Sequence, residues 1–285
     1  MKRGLIAWDR ERVPVAAIEK RLETARAILE LRGLPALLVY TDVWRSNQGR
    51  FLTNFMPYWN RSLIVIPREG KPVLLCALSP RVYPWIKSVT ILEDIRPASK
   101  LMATLEQLCA ERGWSRLGVL DLPKLPVEIY AALGNFEVED VPGERVLVPE
   151  GAEFAMRERA LELARPILEK NLAHASVGRL EREYRRAGAE DLMIRVKRRA
   201  GDAAYSVQVA LEYCGHWVKV TRAHAPAEEL GGLRACFESA RERGGYRENL
   251  AGPQPYEPGE GLIYFLQVEH QGLYYGDTFV GPHLL

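Results

Sequence analysis

Apolar residues recur at helical spacing from Val15 onward. Ile18, Leu22, Ala25 and Leu29 fall on one face before Gly33 closes the run. The pattern then switches. Residues 35–40 (PALLVY) are wholly apolar, as in an inner strand covered on both sides, and residues 41–49 are polar and read as a loop. Apolar runs at 62–66 and 72–76 flank Pro67-Arg68-Glu69-Gly70-Lys71, the signature of a hairpin. Residues 89–92 read as a further strand. Ser99 caps a helix carrying Leu101, Leu105 and Leu108 that stops at Gly113. Residues 117–120 form a buried strand and residues 126–133 a short helix, whereas residues 1–13 are polar and aperiodic, an N-terminal arm.

Val141-Pro142-Gly143-Glu144 and Pro149-Glu150-Gly151 punctuate the chain and divide it into residues 1–148 and 149–285. Past this boundary, residues 153–172 place Phe154, Leu161, Ala164, Leu168 and Leu172 on one helical face, with Pro166 predicting a kink or break. Leu180, Tyr184 and Ala187 mark a second helix. Val207, Val209 and Leu211 then alternate with Gln208, Ala210 and Glu212, the period of a half-buried strand. After a Tyr213-Cys214-Gly215 turn, residues 217–221 return as its hairpin partner. Residues 226–245 read as one helix, 249–261 as a Pro/Gly-rich loop, and 262–268 with 273–280 as a last hairpin. The predicted fold class is α/β: a mixed-sheet domain followed by an α+β domain.

Composition narrows the function classes. A chain of 285 residues can bury two ordinary cores. Lys and Arg total 39 against 37 Asp and Glu, a net charge of +2 with signs interspersed, which predicts no nucleic-acid partner. Arg195-Val196-Lys197-Arg198-Arg199 reads as a solvated helix end. No apolar run approaches the roughly 18 residues of a membrane span, and Met1-Lys2-Arg3 leads into no signal-type block, so a cytoplasmic protein without membrane contact is expected. The four cysteines are widely spaced, without the pattern of a disulfide framework or a zinc knuckle.

Several segments resemble the creatinase/prolidase family, the pita-bread metallopeptidases that include Xaa-Pro aminopeptidases. Arg32-Gly33-Leu34-Pro35-Ala36-Leu37-Leu38-Val39 and Phe51-Leu52-Thr53-Asn54-Phe55 are similar to blocks of the family's N-terminal domain, with Asn54 where glycine is usual. Phe154-Ala155-Met156-Arg157-Glu158-Arg159-Ala160 resembles the start of its catalytic domain. Gly215 and the Thr221-Arg222 pair match its first metal-binding hairpin, and Gly272 to Val280, with Asp277-Thr278, its last strand. The resemblance implies a creatinase/prolidase-like domain at 1–148, a truncated pita-bread domain at 149–285, and a homodimer.

The same resemblance places the family's metal-ligand positions on Gln208, Lys219, Gln267 and Gly276, none of them a carboxylate. Residues 246–259, where the ligand histidine would fall, contain no histidine. No metal and no cofactor are therefore expected. An ammonium at Lys219 repels a divalent cation, and it suits an anionic group: a small carboxylate, a peptide or a segment of a partner protein. Gln208, Trp217, Lys219, Arg222 and Gln267 are the candidate ligand-binding residues, although Lys219 can equally extend to solvent. A metal-independent hydrolase of a small amide, an amidine or an Xaa-Pro peptide is the alternative, with His216, Glu269 and Asp277 as candidate catalytic groups. A metal-dependent Xaa-Pro aminopeptidase or dipeptidase is the third reading, which lacks its ligands. Each also has a plain structural reading: His216 exposed beside a turn, Glu269 solvated, Asp277 orienting Thr278. The aromatic set Tyr264, Phe265, Tyr274, Tyr275 and Phe279 suits a core or an oligomer interface.

Overall fold

A computed structural model describes residues 4–5, 7–242, 245–249, 252–256 and 261–282. The chain forms two compact units, Met1–Val148 and Pro149–Leu285.

In the first unit, helix α1 (Val15–Leu31) buries the predicted Ile18, Leu22, Ala25 and Leu29 stripe against strands β1 (Ala36–Asp42) and β2 (Arg61–Pro67). The short strand β3 (Val73–Cys76) completes an antiparallel run with β2 and β1. The remaining strands, β4 (Asp94–Pro97), β5 (Arg116–Leu120) and β6 (Glu137–Val141), are parallel to β3, β1 and β5 respectively. The resulting six-stranded mixed sheet has the order β4-β3-β2-β1-β5-β6. β1 is buried from Ala36 to Thr41, so its apolar run has cover on both faces. On one of them, Leu38, Leu63 and Val65 pack with Leu105 and Leu108 of α4 (Leu101–Arg112).

Three expectations change here. Part of the anticipated 41–49 loop is helical: α2 spans Asn47–Thr53, and Asn54 caps it with φ 59°, the left-handed conformation that asparagine tolerates in place of glycine. The Asn54 side chain donates to the Val89 carbonyl at 2.8 Å, which fixes the turn. The strand expected at 89–92 is displaced to Asp94–Pro97, because α3 (Tyr83–Val89), started by Pro84 in its first turn, consumes Val89. β6 was not anticipated, since only Val141 in it is fully buried. Two short helices, α5 (Val127–Ala132) and α6 (Gly143–Val146), complete the unit.

The second unit opens with α7 (Gly151–Asn171), which continues through Pro166, and α8 (Val177–Arg186). A seven-stranded sheet follows: β7 (Asp191–Arg198), β8 (Tyr205–Tyr213), β9 (His216–His224), β10 (Gly245–Asn249), β11 (Gly252–Tyr256), β12 (Gly261–His270) and β13 (Leu273–Pro282), in the order β11-β10-β12-β13-β9-β8-β7. Helix α9 (Ala227–Glu242) lies between β9 and β10 in sequence. The β8–β9 turn is Cys214-Gly215, with φ 45° and 76°. Positive φ at both positions is what a two-residue hairpin of this hand requires, and glycine takes the second at no steric cost.

Here too the elements differ from the pattern reading. Arg195 to Arg198 lie on the edge strand β7, not a helix end, because Leu192, Ile194 and Val196 alternate inward while Arg195 and Lys197 point to the other face. Part of the expected 249–261 loop is the β10–β11 hairpin; residues 250–251 and 257–260 lie outside the described residues. The four cysteines are free thiols. Among the described residues no helix is long and apolar enough to cross a membrane.

Candidate functional site

Strand pairing assembles a row across the second sheet. Arg195 pairs with Gln208, Gln208 with Thr221, Thr221 with Gly276, and Gly276 with Gln267. Directly paired residues share a face, so β7, β8, β9 and β12 send their side chains from this row to the same side. Gln267 Oε1 accepts hydrogen bonds from Gln208 Nε2 at 2.8 Å and from Thr221 Oγ1 at 2.9 Å. A cavity of about 150 Å³ opens over the row, lined also by Lys197, Ser206 and Tyr274.

Lys219 stands one step along β9 on the same face as Thr221, paired with Ala210. Its backbone is tied to the last strand: Lys219 N donates to Thr278 Oγ1 at 2.8 Å, and that hydroxyl donates to the Lys219 carbonyl at 2.9 Å. Its ammonium lies 5.4 Å from the Phe265 ring centroid. Trp217 shares this face at the start of β9 and is half-buried. Gln208, Lys219, Gln267 and Gly276, four positions separated in sequence, are thus neighbours on one open face.

The residues present do not fit a dinuclear divalent centre. Such a centre takes hard anionic oxygen donors and imidazole, whereas the four positions hold two neutral amides, a lysine and a glycine. Gly276 has no side chain, and the backbone leaves no room for one: a Cβ there would sit 2.8 Å from the Leu266 carbonyl oxygen and 3.0 Å from Gln267 Cβ. Among the described residues, no group of three or more His, Cys, Asp or Glu is placed to hold a metal ion.

The other candidates are not brought to this face. His216 begins β9 on the side of Val218 and Val220, which α7 covers, so it is only 1% exposed, not exposed beside its turn. Its Nδ1 donates to the Cys214 carbonyl at 2.8 Å, and its Nε2 lies 3.3 Å from Glu153 Oε1. Glu153 in turn accepts from Arg157 at 2.9 Å.

Asp277 and Arg222 also lie on the covered side. Asp277 receives Arg165 Nε at 3.1 Å and Arg222 Nη2 at 2.9 Å, and it accepts from Thr278 N at 2.9 Å. Arg222 further donates to Glu169 at 3.1 Å and to the Gly276 carbonyl at 2.9 Å. Burial opposes the charge on Arg222, but Asp277 beside it holds the guanidinium pKa above its ordinary value. Glu269 shares the face of Gln267 yet turns to the hairpin end, where it accepts from Gly272 N at 2.6 Å. His216, Glu269 and Asp277 therefore do not converge. Of the aromatic set, Tyr264 stacks on Phe279 with centroids 4.9 Å apart as core, while Tyr274 lines the cavity.

Pattern reading missed Arg195, Lys197, Ser206, Thr221 and Tyr274 as site residues. The signal for the first two was the alternation of Leu192, Ile194 and Val196 with Met193, Arg195 and Lys197, hidden by the density of positive charge.

No protein-family model matches the sequence, and no curated protein matches it by sequence. Solved structures do match by shape. The X-Pro aminopeptidase from Thermotoga maritima MSB8 aligns with TM-score 0.70 at 13% identity, covering 90% of this chain and 93% of that one. The prolidase from Pyrococcus horikoshii OT3 gives 0.66 at 12% identity, with 92% and 95% covered. The Xaa-Pro dipeptidase from Bacillus anthracis gives 0.64 at 15% identity, with 92% and 93% covered. The chain has the creatinase/prolidase-like, pita-bread fold of Xaa-Pro peptidases.

Proposed function

We propose that this chain is a non-catalytic, metal-free relative of the Xaa-Pro peptidases that holds a small carboxylate, a peptide or a segment of a partner protein on the open face of its second sheet. One observation carries the reading. The positions assigned to metal ligands by resemblance do meet in space, yet they hold Gln208, Lys219, Gln267 and the crowded Gly276. Such a set of side chains favours an anion over a divalent cation. The protein acts in the cytoplasm as a homodimer in this reading. Metal-independent hydrolysis gains no support from His216 and Asp277, which are engaged beneath the sheet, or from Glu269 at its hairpin.

Calorimetric titration of Mn²⁺ and Zn²⁺ into chelator-stripped protein, with Xaa-Pro dipeptide turnover followed in parallel, tests the proposal. Neither stoichiometric binding nor turnover is expected. Tight binding accompanied by turnover would overturn it.

A further inference from the structure

Building on the binding role above, we propose that the open-face cavity takes an N-acylated amino-acid end, its carboxylate held by Arg195 and its amide read by Gln208 and Gln267.

Arg195 and Lys197 stand two residues apart on β7 and so project from the same face. Both line the cavity, and none of its lining residues is acidic. The two cations differ in availability. Lys197 bonds to the Tyr274 hydroxyl and lies 4.0 Å from that ring's centroid. Arg195 is exposed and makes no hydrogen bond or ion pair with any described residue. A guanidinium presents a planar fork of N–H groups that matches the two oxygens of a carboxylate. Ser206 stands beside it: its Oγ accepts from Tyr274 N at 2.8 Å, so its hydroxyl proton remains to donate.

The opposite wall has a different code. Gln267 Oε1 takes both internal hydrogen bonds, which leaves Gln208 Oε1 as an acceptor and Gln267 Nε2 as a donor. Reversing both amides keeps the network and still leaves one acceptor and one donor. In either setting the wall complements the N–H and C=O of a secondary amide. A free amino acid is a poorer fit, because its ammonium meets a cation-lined cavity. The cavity of about 150 Å³ is small and open on one side, which suits a single residue end.

Calorimetry on the full chain with four probes tests the assignment: N-acetyl-L-alanine, N-acetyl-L-alaninamide, L-alanine and inorganic phosphate. Saturable binding of N-acetyl-L-alanine is expected, with the other three at least tenfold weaker. Arg195→Gln should weaken N-acetyl-L-alanine at least tenfold and leave the melting midpoint unchanged, since the side chain is exposed. Gln267→Glu should also weaken it, by placing a negative charge in the cavity. Equal affinity for phosphate or for L-alanine would overturn the proposal, as would an Arg195→Gln protein that binds like the wild type. Affinity lost in Lys219→Ala but kept in Arg195→Gln would overturn the role of Arg195 while leaving the metal-free binding function standing. Metal-dependent dipeptide turnover would instead overturn that function itself.

Discussion

The seven-stranded sheet carries polar and charged side chains on both faces, and the two sets are held in different ways. Under α7 and α9, charges come with counter-charges: Asp277 lies between Arg165 and Arg222, Arg222 reaches Glu169, and Glu153 sits between Arg157 and His216. With water excluded, an unanswered ion there would be costly, so these groups tie helix to strand. On the other face, Gln208, Thr221 and Gln267 form a neutral hydrogen-bonded set with capacity to spare, and Arg195 stands at the edge with no hydrogen bond or ion pair among the described residues. Titratable residues that look catalytic by type are therefore engaged in hydrogen bonds and ion pairs where they are covered. The cavity on the open face is lined by amides, hydroxyls and two cations.

Removing one member of a covered pair gives the widest separation between the faces. Asp277 and Arg222 are each 7% exposed. Asp277→Asn takes the buried carboxylate from Arg222, leaving it only the more exposed Glu169, and should cost about 3 kcal/mol of unfolding free energy. The exposed Arg195→Gln should stay within about 0.5 kcal/mol. Urea unfolding followed by circular dichroism measures both. If the Asp277→Asn loss fell below about 1 kcal/mol, the range of an exposed pair, the distinction between the faces would collapse.

Gly276, at a position that the resemblance assigns to a metal ligand, tests whether the open face can admit a side chain there. A methyl group there meets the Leu266 carbonyl at 2.8 Å, and the neighbour is backbone, which cannot rotate aside. Gly276→Ala should therefore destabilise by about 1–3 kcal/mol through forced backbone movement. A neutral result in the same urea assay would mean that the strand pair can open to admit a side chain. A glutamate could then be introduced at this position.

Much of this arrangement was legible beforehand. Alternation through Val207, Val209 and Leu211 put Gln208 on the opposite face from the core, and the Cys214-Gly215 turn fixed the hairpin register that sets Gln208 beside Thr221. The unread parts depend on distant segments. Arg165 precedes its partner Asp277 by 112 positions, and no local pattern reports such a pairing. His216 reads as exposed because a turn precedes it, yet the strand parity that buries it has meaning only once α7 is known to cover that face. The edge strand β7 was obscured by charge. In Met193-Ile194-Arg195-Val196-Lys197-Arg198 the outward cations outweigh a short apolar alternation.

Tyr184 sharpens the comparison through pH. Its hydroxyl is buried and donates to the Ala164 carbonyl at 2.8 Å. Burial disfavours the phenolate and raises the pKa, although Arg222 nearby works in the opposite sense. The folded protein thus keeps this proton at a pH where the unfolded chain, with a tyrosine pKa of about 10, releases it. The resulting stability is fully present below about pH 10 and is lost as pH rises above it. Tyr184→Phe should cost about 1 kcal/mol at neutral pH and flatten the alkaline decline in urea midpoint. An unchanged decline would assign it to other groups.

The smallest effects belong to the amide pair, and their order matters more than their size. Gln267 is exposed, but Thr221, whose hydroxyl it accepts, is only 2% exposed. Gln208→Leu removes one donor from a wet site and should cost about 0.5 kcal/mol or less. Gln267→Leu leaves the Thr221 hydroxyl to find another partner in a buried setting and should cost more, about 1 kcal/mol. Combining the two in a double-mutant cycle should return a coupling of about 0.5 kcal/mol, as for residues in direct contact. Equal single costs with no coupling would mean that Gln208 and Gln267 hydrate independently, and the open face would then have no pre-set amide reader.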